Sequence, residues 1–542
     1  MPHPFSPTHI KFGGYGKDDA GSVWLRVWLG SPSSRSVIVR LADLNVGSPE
    51  LWRRIGDAGI LLSPTAKKII LEKLQHMPRL DNRFRVVSAP GWSSGYVTPT
   101  KVFGAPSFVV EREFSGLTLS KYRSAGTLNQ WQNEVLVLCT GNSRLMFSII
   151  CAFAGPLLEI LGIGSFGFQL FGPSSIGKTI VLIVGGSVWG CRVGASSHLG
   201  FLATWATTQE GVELYGRAHN DAFLALDETR LAGSDRDMGK LVATFIMRLA
   251  EGVSKNRLVP AGAGGDWRLV YLGSSNLSLI QMFLAAGLEF DDAYRARFPD
   301  IPADVGCGYG AFEDIHDFPN AAAFAKELHA RACTYFGIAS EHYLERLAKD
   351  HERGDWLASR VRLQMAGYRA MAPGSSAVDG RITDQFAVVY AAGMLARHYG
   401  ILPWSLKEIA WAVRSCERAH HQFVAQSQAQ LDPITAVRSY ITDNLPHFRK
   451  VPDPSITKQE FERSAGFVYI DRYGAREYPI PPGVFDREFA HLNIMRALRA
   501  LGAAGLLVRT GAKYVSKVPI RSSATDGREW VYRIRGTVLN DL

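Results

Sequence analysis

The chain has 542 residues, 46% of them hydrophobic, and its 60 Lys and Arg against 50 Asp and Glu give a net charge of +10. This length exceeds what one hydrophobic core usually supports, so we expect about two to four domains, and the positive charge permits a polyanionic partner without requiring one. Six scattered cysteines without a C-x-x-C pair exclude a zinc ribbon or a disulfide framework and are typical of a reducing compartment.

The first part of the sequence is predicted to form a small α/β domain over residues 1–120. Its start lacks the basic segment and apolar run of a secretory signal, so we expect a cytoplasmic protein. Apolar residues alternate along Ser22 to Leu29, and a second strand pattern covers Ser36 to Leu41. Ser63-Pro64 is typical of the N-cap and first position of a helix. Phe84 to Val110 is again strand-like.

Residues 121–310 are predicted to form an α/β core, because helical patterns give way to alternating strands and helices up to about Ala303. The stretch Leu145 to Ile163 is apolar enough to resemble a membrane span. It contains Gly155-Pro156 and Glu159, however, and runs into a loop that must contact water. We therefore interpret it as a buried helix pair.

A helical lid is predicted over residues 311–430. Helical periodicity covers Ala322 to Phe336, Ile382 to His398 and Leu406 to Phe423. The pair His420-His421 lacks metal-ligand spacing and is interpreted as two surface positions of the last helix.

Residues 431–542 are predicted to form a separate C-terminal domain. Two helix patterns are followed by three strand patterns, an order typical of a winged helix. The helices are Pro482 to Phe489 and Asn493 to Leu501, and the strands are Gly505 to Val508, Tyr514 to Ile520 and Trp530 to Ile534.

The strands of this domain and its second helix are strongly basic. The cations are Arg496, Arg499, Arg509, Lys513, Lys517, Arg521, Arg528, Arg533 and Arg535. Only Asp526 and Glu529 oppose them in the strand segment, an excess that favours phosphate contacts. A winged helix can equally dock a protein or regulate the lid, so both interpretations stay open.

A phosphate-binding loop follows the predicted strand Phe168 to Phe171. It matches G-x-x-x-x-G-K-[ST] with Gly172, Pro173, Ser174, Ser175, Ile176, Gly177, Lys178 and Thr179. In such a loop the backbone N–H groups close around the β-phosphate, Lys178 reaches the β- and γ-phosphates and the Thr179 hydroxyl ligates Mg²⁺. The preceding strand, the spacing and the Lys-Thr pair together favour a phosphate-binding loop over a chance Gly-rich turn that binds no ligand. The expected cofactors are ATP and Mg²⁺.

A second ATPase motif is predicted where the apolar run Ala222 to Leu226 ends in Asp227 and Glu228. This segment resembles Walker B, in which Asp227 would hold Mg²⁺ through water and Glu228 would polarise the attacking water as a general base. An Asp-Glu pair at a strand end is common in isolation. Its position downstream of Lys178 favours the catalytic interpretation.

A third strand pattern, Trp267 to Gly273, ends at Ser274, Ser275 and Asn276. AAA+ ATPases carry a polar sensor residue at this place, between the B strand and the phosphate. Asn276 is therefore the sensor 1 candidate, although an Asn that ends a strand is more often a turn residue.

Several ordered motifs together resemble domain of unknown function 927. They are Ala218 to Asp221 with Asp227-Glu228, Gly252 to Arg257, Arg297 to Asp304, Asp384 to Phe386, Ala391 to Gly393, and Tyr399 to Trp404. The resemblance runs from about residue 20 to about residue 425. Members occur in phages, plasmids and bacterial chromosomal islands, and some resemble minichromosome maintenance helicases, which are hexameric AAA+ rings that move on DNA.

The resemblance implies an AAA+ P-loop ATPase core. Together with the patterns described above, it predicts an α/β multidomain protein with an N-terminal α/β domain, a helical lid and a C-terminal winged helix. It implies a bacterial, cytoplasmic DNA helicase for a mobile element. The implied partners are DNA as a single strand or fork, further copies of the chain in a hexameric ring and other replication proteins of the element, with no membrane partner.

The resemblance also assigns candidate residues outside the loop. In such rings a neighbouring subunit supplies an arginine to the ATP site, and Arg297 matches this finger best, with Arg295 as the alternative. Arg381, at the predicted start of a helix, resembles the sensor 2 arginine. A channel hairpin would occupy Gly252 to Leu258, where Lys255 and Arg257 are the DNA-binding candidates.

Alternatives to each of these assignments remain open. A turn with two surface cations explains Lys255 and Arg257 equally well, and Ala261 to Gly265 could instead form the hairpin tip. A replication initiator or helicase loader, switched by ATP without processive unwinding, is the second functional hypothesis. A P-loop regulator that does not use nucleic acid is the third.

Overall fold

The computed structural model describes the chain except for residues 1–9, 19–20, 30–34, 46–47, 58–61, 77–82, 88–89, 94, 105–108, 113–120, 192–199, 206–207, 228–234, 254–265, 289, 372–375, 490–491, 493, 512, 522–526 and 540–542. The chain divides into two units, Met1–His420 and His421–Leu542. The predicted domain limits at residues 120 and 310 fall inside the first unit, and the limit at residue 430 lies just beyond it.

The first unit opens with a mixed sheet and helices that cover it. The elements are β1 (Ile10–Lys17), β2 (Val23–Leu29), β3 (Arg35–Arg40), α1 (Leu41–Asn45), α2 (Pro49–Asp57), α3 (Pro64–Gln75), β4 (Arg83–Val87), β5 (Gly91–Ser93), β6 (Gly95–Val97), β7 (Val102–Phe103) and β8 (Val109–Arg112). Strand order is β3-β2-β1-β4-β8, and β5 to β7 form a separate small sheet. Leu25, Val27 and Ile70 share one core. The predicted helix start is confirmed, because Ser63 Oγ accepts a hydrogen bond from Ala66 N at 3.2 Å.

A parallel sheet flanked by helices follows. Its elements are α4 (Leu128–Trp131), which continues through a π-helical turn (Gln132–Leu136) into α5 (Val137–Cys139), α6 (Ser143–Ala152), α7 (Leu157–Leu161), β9 (Phe166–Phe171), α8 (Lys178–Gly186), β10 (Ala203–Thr204), α9 (Gln209–Ala218), β11 (Ala222–Asp227), α10 (Asp235–Glu251), β12 (Leu269–Ser275), α11 (Leu279–Ala286), α12 (Asp292–Arg297) and β13 (Asp300–Pro302). Strand order is β10-β11-β12-β9-β13, and all neighbours are parallel. The protein is thus an α/β multidomain chain with a parallel sheet.

The apolar stretch that resembled a membrane span is the buried helix pair α6 and α7, as predicted. Every residue of α6 is buried. Ser148 Oγ of α6 donates a hydrogen bond to Val181 O of α8 at 2.7 Å, so α6 packs against the helix that follows the phosphate-binding loop. In the part of the chain that the structure describes, no helix combines the length and apolarity needed to cross a bilayer.

Long helices follow, and the last of them extends beyond His420, where the first unit ends. They are α13 (Ala321–Ala332), α14 (Ile338–His351), α15 (Trp356–Ala370), α16 (Ala377–His398) and α17 (Leu406–Leu431). The prediction that Arg381 opens its helix is wrong by one turn, because Ser376 caps the helix by accepting a hydrogen bond from Asp379 N.

The second unit is built on a five-stranded sheet. Its elements are α18 (Pro433–Asn444), a 3₁₀ turn (Leu445–His447), β14 (Arg449–Val451), α19 (Lys458–Arg463), β15 (Phe467–Ile470), β16 (Arg476–Ile480), α20 (Pro482–Glu488), α21 (Ile494–Ala503), β17 (Ser516–Pro519), β18 (Arg528–Arg535) and a second 3₁₀ turn (Gly536–Leu539). Strand order is β14-β15-β16-β18-β17. The helices and the last two strands are confirmed. The strand predicted at Gly505 to Val508 is wrong, since only Leu507 forms a bridge there, to Ile534.

Candidate nucleotide site

The loop between β9 and α8 has a backbone that glycine makes possible. Gly177 has φ of 98°, a left-handed conformation that residues with a Cβ adopt only with strain. A Cβ at this position would also lie 2.6 Å from the ring of Phe312. The chain can therefore turn sharply from the buried strand β9 into the helix that starts at Lys178.

Lys178 is buried against its own loop. Its Nζ donates hydrogen bonds to Gly172 O at 2.8 Å, to Pro173 O at 2.6 Å and to Asn276 Oδ1 at 3.1 Å. The ammonium group is thus held at the mouth of the loop by two carbonyl groups and by the sensor candidate.

The predicted acid and sensor residues meet the loop at one edge of the sheet. Because the strands are parallel, the carboxyl ends of β9, β11 and β12 lie side by side, with β12 in the middle. Ser274 Oγ at the end of β12 donates a hydrogen bond to Asp227 Oδ1 at 2.5 Å. Together with Lys178, Thr179 and Asn276 these residues line a cavity of about 370 Å³.

The side chains in this cavity fit a nucleoside triphosphate with a magnesium ion. Mg²⁺ binds proteins through one or two oxygen ligands while substrate phosphates and water supply the rest. Thr179 is exposed at the start of α8, and the Asp227 carboxylate faces the same cavity. Among the described residues no group of three or more His, Cys, Asp or Glu could hold a metal by itself. Thr179 and Asp227 are the residues that could ligate the ion.

Residues 311–313, which follow β13, contact the phosphate-binding loop and hold it in place. Ala311 N donates a hydrogen bond to Ile176 O at 2.8 Å, and the Phe312 ring lies on Gly177. The next residue, Glu313, accepts a hydrogen bond from Ser143 N at 2.8 Å and so fixes the segment to the start of α6. Sequence reasoning missed this brace, because its partners are about 170 residues apart and follow no motif.

The two arginines proposed for the finger have different surroundings. Arg295 is 9% exposed and pairs within its own chain with Asp292, at 3.0 Å, and with Asp379 of α16, at 3.2 Å. Arg297 is half-buried, and its Nη1 donates to Ala293 O at 2.9 Å. Among the described residues no carboxylate pairs with Arg297. Arg381 is exposed on α16 and does not line the cavity.

Three predicted residues lie outside the described residues: the base candidate Glu228 and the hairpin candidates Lys255 and Arg257. The two ends of the hairpin segment are described. Val253 and Asp266 form an antiparallel bridge, and Trp267 N donates to Gly252 O at 2.7 Å.

A buried carboxylate lies at the opposite end of β11 from Asp227. Asp221 accepts a hydrogen bond from Trp92 N at 3.0 Å and pairs with Arg268 Nε at 3.3 Å, while Tyr96 donates its hydroxyl to Asp221 O at 2.7 Å. Burial raises the pKa of Asp221 to about 6, although the hydrogen bond from Trp92 and the charge of Arg268 oppose this effect. These contacts anchor the β5–β6 hairpin to the strand that carries Asp227.

Two interpretations of polar residues are wrong. His420 is not at the surface but fully buried, and its Nδ1 lies 2.7 Å from Asp300 O. In the second unit, Glu477 also opposes the basic residues, because it accepts two hydrogen bonds from Arg533, at 2.7 and 2.9 Å. Asp526, one of the two acids predicted there, lies outside the described residues.

Comparison with known families bears on part of this arrangement. Residues 19–263 match the family model described as Domain of unknown function (DUF927). These residues form a DUF927 domain. The matched segment starts where the predicted resemblance starts and contains the phosphate-binding loop and Asp227. The motifs from Arg297 onward lie beyond it.

One solved structure, named "SCCmec type IV Cch - active helicase", is similar to the chain, with a TM-score of 0.65 over 100% of this chain and 96% of that chain. The two sequences are 15% identical, so the likeness concerns the fold. No curated protein matches the sequence of this chain.

Proposed function

We propose that this DUF927 chain is an ATP-dependent, ring-forming DNA helicase that serves replication of a mobile genetic element such as a phage, plasmid or chromosomal island. Its first unit would be an AAA+ ATPase with a helical lid, and its second unit a winged-helix domain. The observation that carries the proposal is the cavity in which Lys178, Thr179, Asp227 and Asn276 converge at one edge of the parallel sheet.

The loop and its neighbours supply what phosphoryl transfer to water needs. ATP with Mg²⁺ would provide the transferable phosphoryl group and its counter-charge. Lys178 and the loop N–H groups would hold the β- and γ-phosphates, and Thr179 and Asp227 would fix the metal. Glu228 would accept the proton of the attacking water, and Asn276 would orient the γ-phosphate from its place beside Lys178.

The finger would come from a neighbouring subunit of a hexameric ring. Arg295 is engaged within its own chain, whereas no described carboxylate neutralises Arg297. We therefore assign the finger to Arg297, which would stabilise charge on the transferring phosphoryl group. Arg381 would act as sensor 2 from the lid.

Movement along one DNA strand is proposed for the segment between Gly252 and Asp266, whose ends are held together by the Val253–Asp266 bridge. Lys255 and Arg257 would contact backbone phosphates there. The similarity in fold to a protein named an active helicase supports this choice over a simple ATPase.

Strand displacement from a labelled forked DNA tests the proposal. Wild-type chain with ATP and Mg²⁺ should displace the strand, and Lys178→Ala should not, because the phosphates lose their cation. Lys349→Ala is the matched control, since this exposed lysine pairs only with Glu345 on its own helix among the described residues. Equal displacement by wild type and Lys178→Ala would contradict the proposal.

The second candidate function is an initiator or loader that uses the same nucleotide site to switch DNA binding. Lys255→Ala separates the two. In a helicase this variant keeps basal hydrolysis and loses unwinding. DNA-stimulated hydrolysis without displacement by the wild type would favour the loader, and hydrolysis that DNA does not change would favour a regulator.

A further inference from the structure

The second unit has an open cleft along part of its sheet. The cleft measures about 1000 Å³ and lies over β15, β16 and β18, next to the turn that joins β15 to β16. Part of the same sheet is covered, because Phe461 of α19 belongs to a buried cluster with Val518 and Val531.

Arginines dominate the lining of the cleft. They are Arg472, Arg476, Arg528, Arg533 and Arg535. Of these, Arg533 is neutralised by the buried carboxylate of Glu477. Asp471, the other acid in the lining, is occupied as an acceptor for the turn, where its Oδ1 receives hydrogen bonds from Tyr473 N and Ala475 N, both at 2.8 Å.

Four positive charges therefore remain available. Within the described residues no carboxylate pairs with Arg472, Arg476, Arg528 or Arg535, and all four side chains are exposed. Arg535 of β18 is the register partner of Glu477, Arg476 precedes Glu477 in β16, and Arg528 starts β18. Such a group of cations in a concave surface is suited to consecutive phosphates of a nucleic-acid backbone.

Aromatic side chains accompany these cations. Tyr473 at the tip of the turn is 78% exposed, and the Arg472 guanidinium lies 4.7 Å from the centre of its ring. Tyr469 also lines the cleft. An exposed ring beside a cationic groove binds nucleic acid by stacking on a base, and a base is free to stack in this way only when it is unpaired.

We propose that this cleft binds a single-stranded nucleic-acid segment, with Arg476, Arg528 and Arg535 on its phosphates and Tyr473 against a base. The inference rests on the proposed function for the class of partner. It names a site within the second unit, built from residues other than the DNA-binding candidates Lys255 and Arg257.

The test measures binding of a fluorescent oligothymidylate by the full chain without nucleotide, over a series of salt concentrations. The cleft variant carries Arg476→Gln, Arg528→Gln and Arg535→Gln. The matched control carries Lys458→Gln, Arg463→Gln and Arg487→Gln, which remove the same charge from exposed helix positions of the same unit.

The cleft variant should bind at least about tenfold more weakly, and the slope of log K against log salt should fall by about 2, because each single-strand phosphate contact contributes roughly 0.7. The control should stay within about threefold of wild type. Tyr473→Ala should weaken the binding of oligothymidylate by roughly 5- to 100-fold, the range expected for the loss of one stacked base. Its binding of an abasic oligonucleotide should equal that of the wild type.

Equal weakening by the cleft variant and the control would overturn the proposal, as would a cleft variant that binds like wild type. Release of the oligonucleotide by millimolar pyrophosphate alone would assign the cleft to a free phosphate ligand and also overturn it. Strand displacement is scored separately. A chain that binds oligothymidylate through the cleft but displaces no strand would keep this inference and refute the helicase.

Discussion

Replacing two neighbouring arginines should give opposite phenotypes. The Arg297 side chain makes one described hydrogen bond, within its own helix, so Arg297→Ala should lower the free energy of unfolding by only about 1 kcal/mol. If Arg297 is the finger, its removal should reduce kcat for ATP hydrolysis by roughly 10³- to 10⁵-fold while ATP still binds.

Arg295→Ala should instead weaken the fold. Arg295 joins α12 to Asp379 of α16 and also pairs with Asp292, and all of these contacts lie within one chain. We expect a loss of about 2 kcal/mol, less than for a fully buried pair because Asp292 is 64% exposed. Hydrolysis per folded molecule should stay within about threefold of wild type.

Three measurements distinguish these outcomes: steady-state ATP hydrolysis, binding of a fluorescent ATP analogue and thermal unfolding. Arg297→Ala subunits mixed with Lys178→Ala subunits should recover activity, because each supplies the part that the other lacks. Random mixing at equal amounts should restore about a quarter of the wild-type rate if sites are independent. No recovery in intact rings, or an Arg297→Ala chain that hydrolyses ATP normally, would refute the assignment.

Three further perturbations test the site and its support. Asn276→Ala removes the side-chain acceptor among the three groups that bind the Lys178 ammonium, a contact worth about 1.5–3 kcal/mol, so kcat should fall roughly 10- to 100-fold with little change in the Kd for ATP. An equal loss in both would contradict a sensor role. Gly177→Ala should introduce about 1–3 kcal/mol of strain in the loop and abolish ATP binding. Gly367→Ala, on an exposed helix face with open space, should bind ATP like the wild type in the same assay. Asp221→Asn should flatten the pH dependence of urea unfolding. Folding raises the pKa of the Asp221 carboxyl from 3.8 to about 6, and the resulting stabilisation of roughly 3 kcal/mol is complete below pH 4 and lost as the pH rises through 6. Identical pH dependences for the variant and the wild type would contradict this prediction.

Local features of this protein were predictable because they depend on a few consecutive residues. The loop from Gly172 to Thr179 needs glycine where φ is positive and a lysine at the start of the helix, and both requirements are visible in the sequence. The helix after Ser63 and the buried pair α6 and α7 follow from capping and hydropathy in the same way. The placement of Asp227 and Asn276 beside Lys178 followed from one rule, that parallel strands end at the same edge.

Contacts between distant segments were not predictable from these patterns. A helical position such as His420 has no local sign that a carbonyl group of Asp300, 120 residues away, makes it a core residue. Glu477 precedes Arg533 by 56 residues on another strand, so the neutralisation of that arginine depended on strand register. The separation of Arg295 from Arg297 likewise depended on the approach of Asp379.

The sequence by itself therefore determined the chemistry available to this protein: the phosphate loop, the acid and the amide at strand ends, and the excess of cations in the second unit. Only the tertiary structure decided which of those groups are already engaged. Charges in a folded chain are neutralised by whatever the packing brings within about 4 Å, and packing joins residues regardless of their separation along the chain. Arg297 and the open cleft were left accessible by that process, and Arg295 and Arg533 were not.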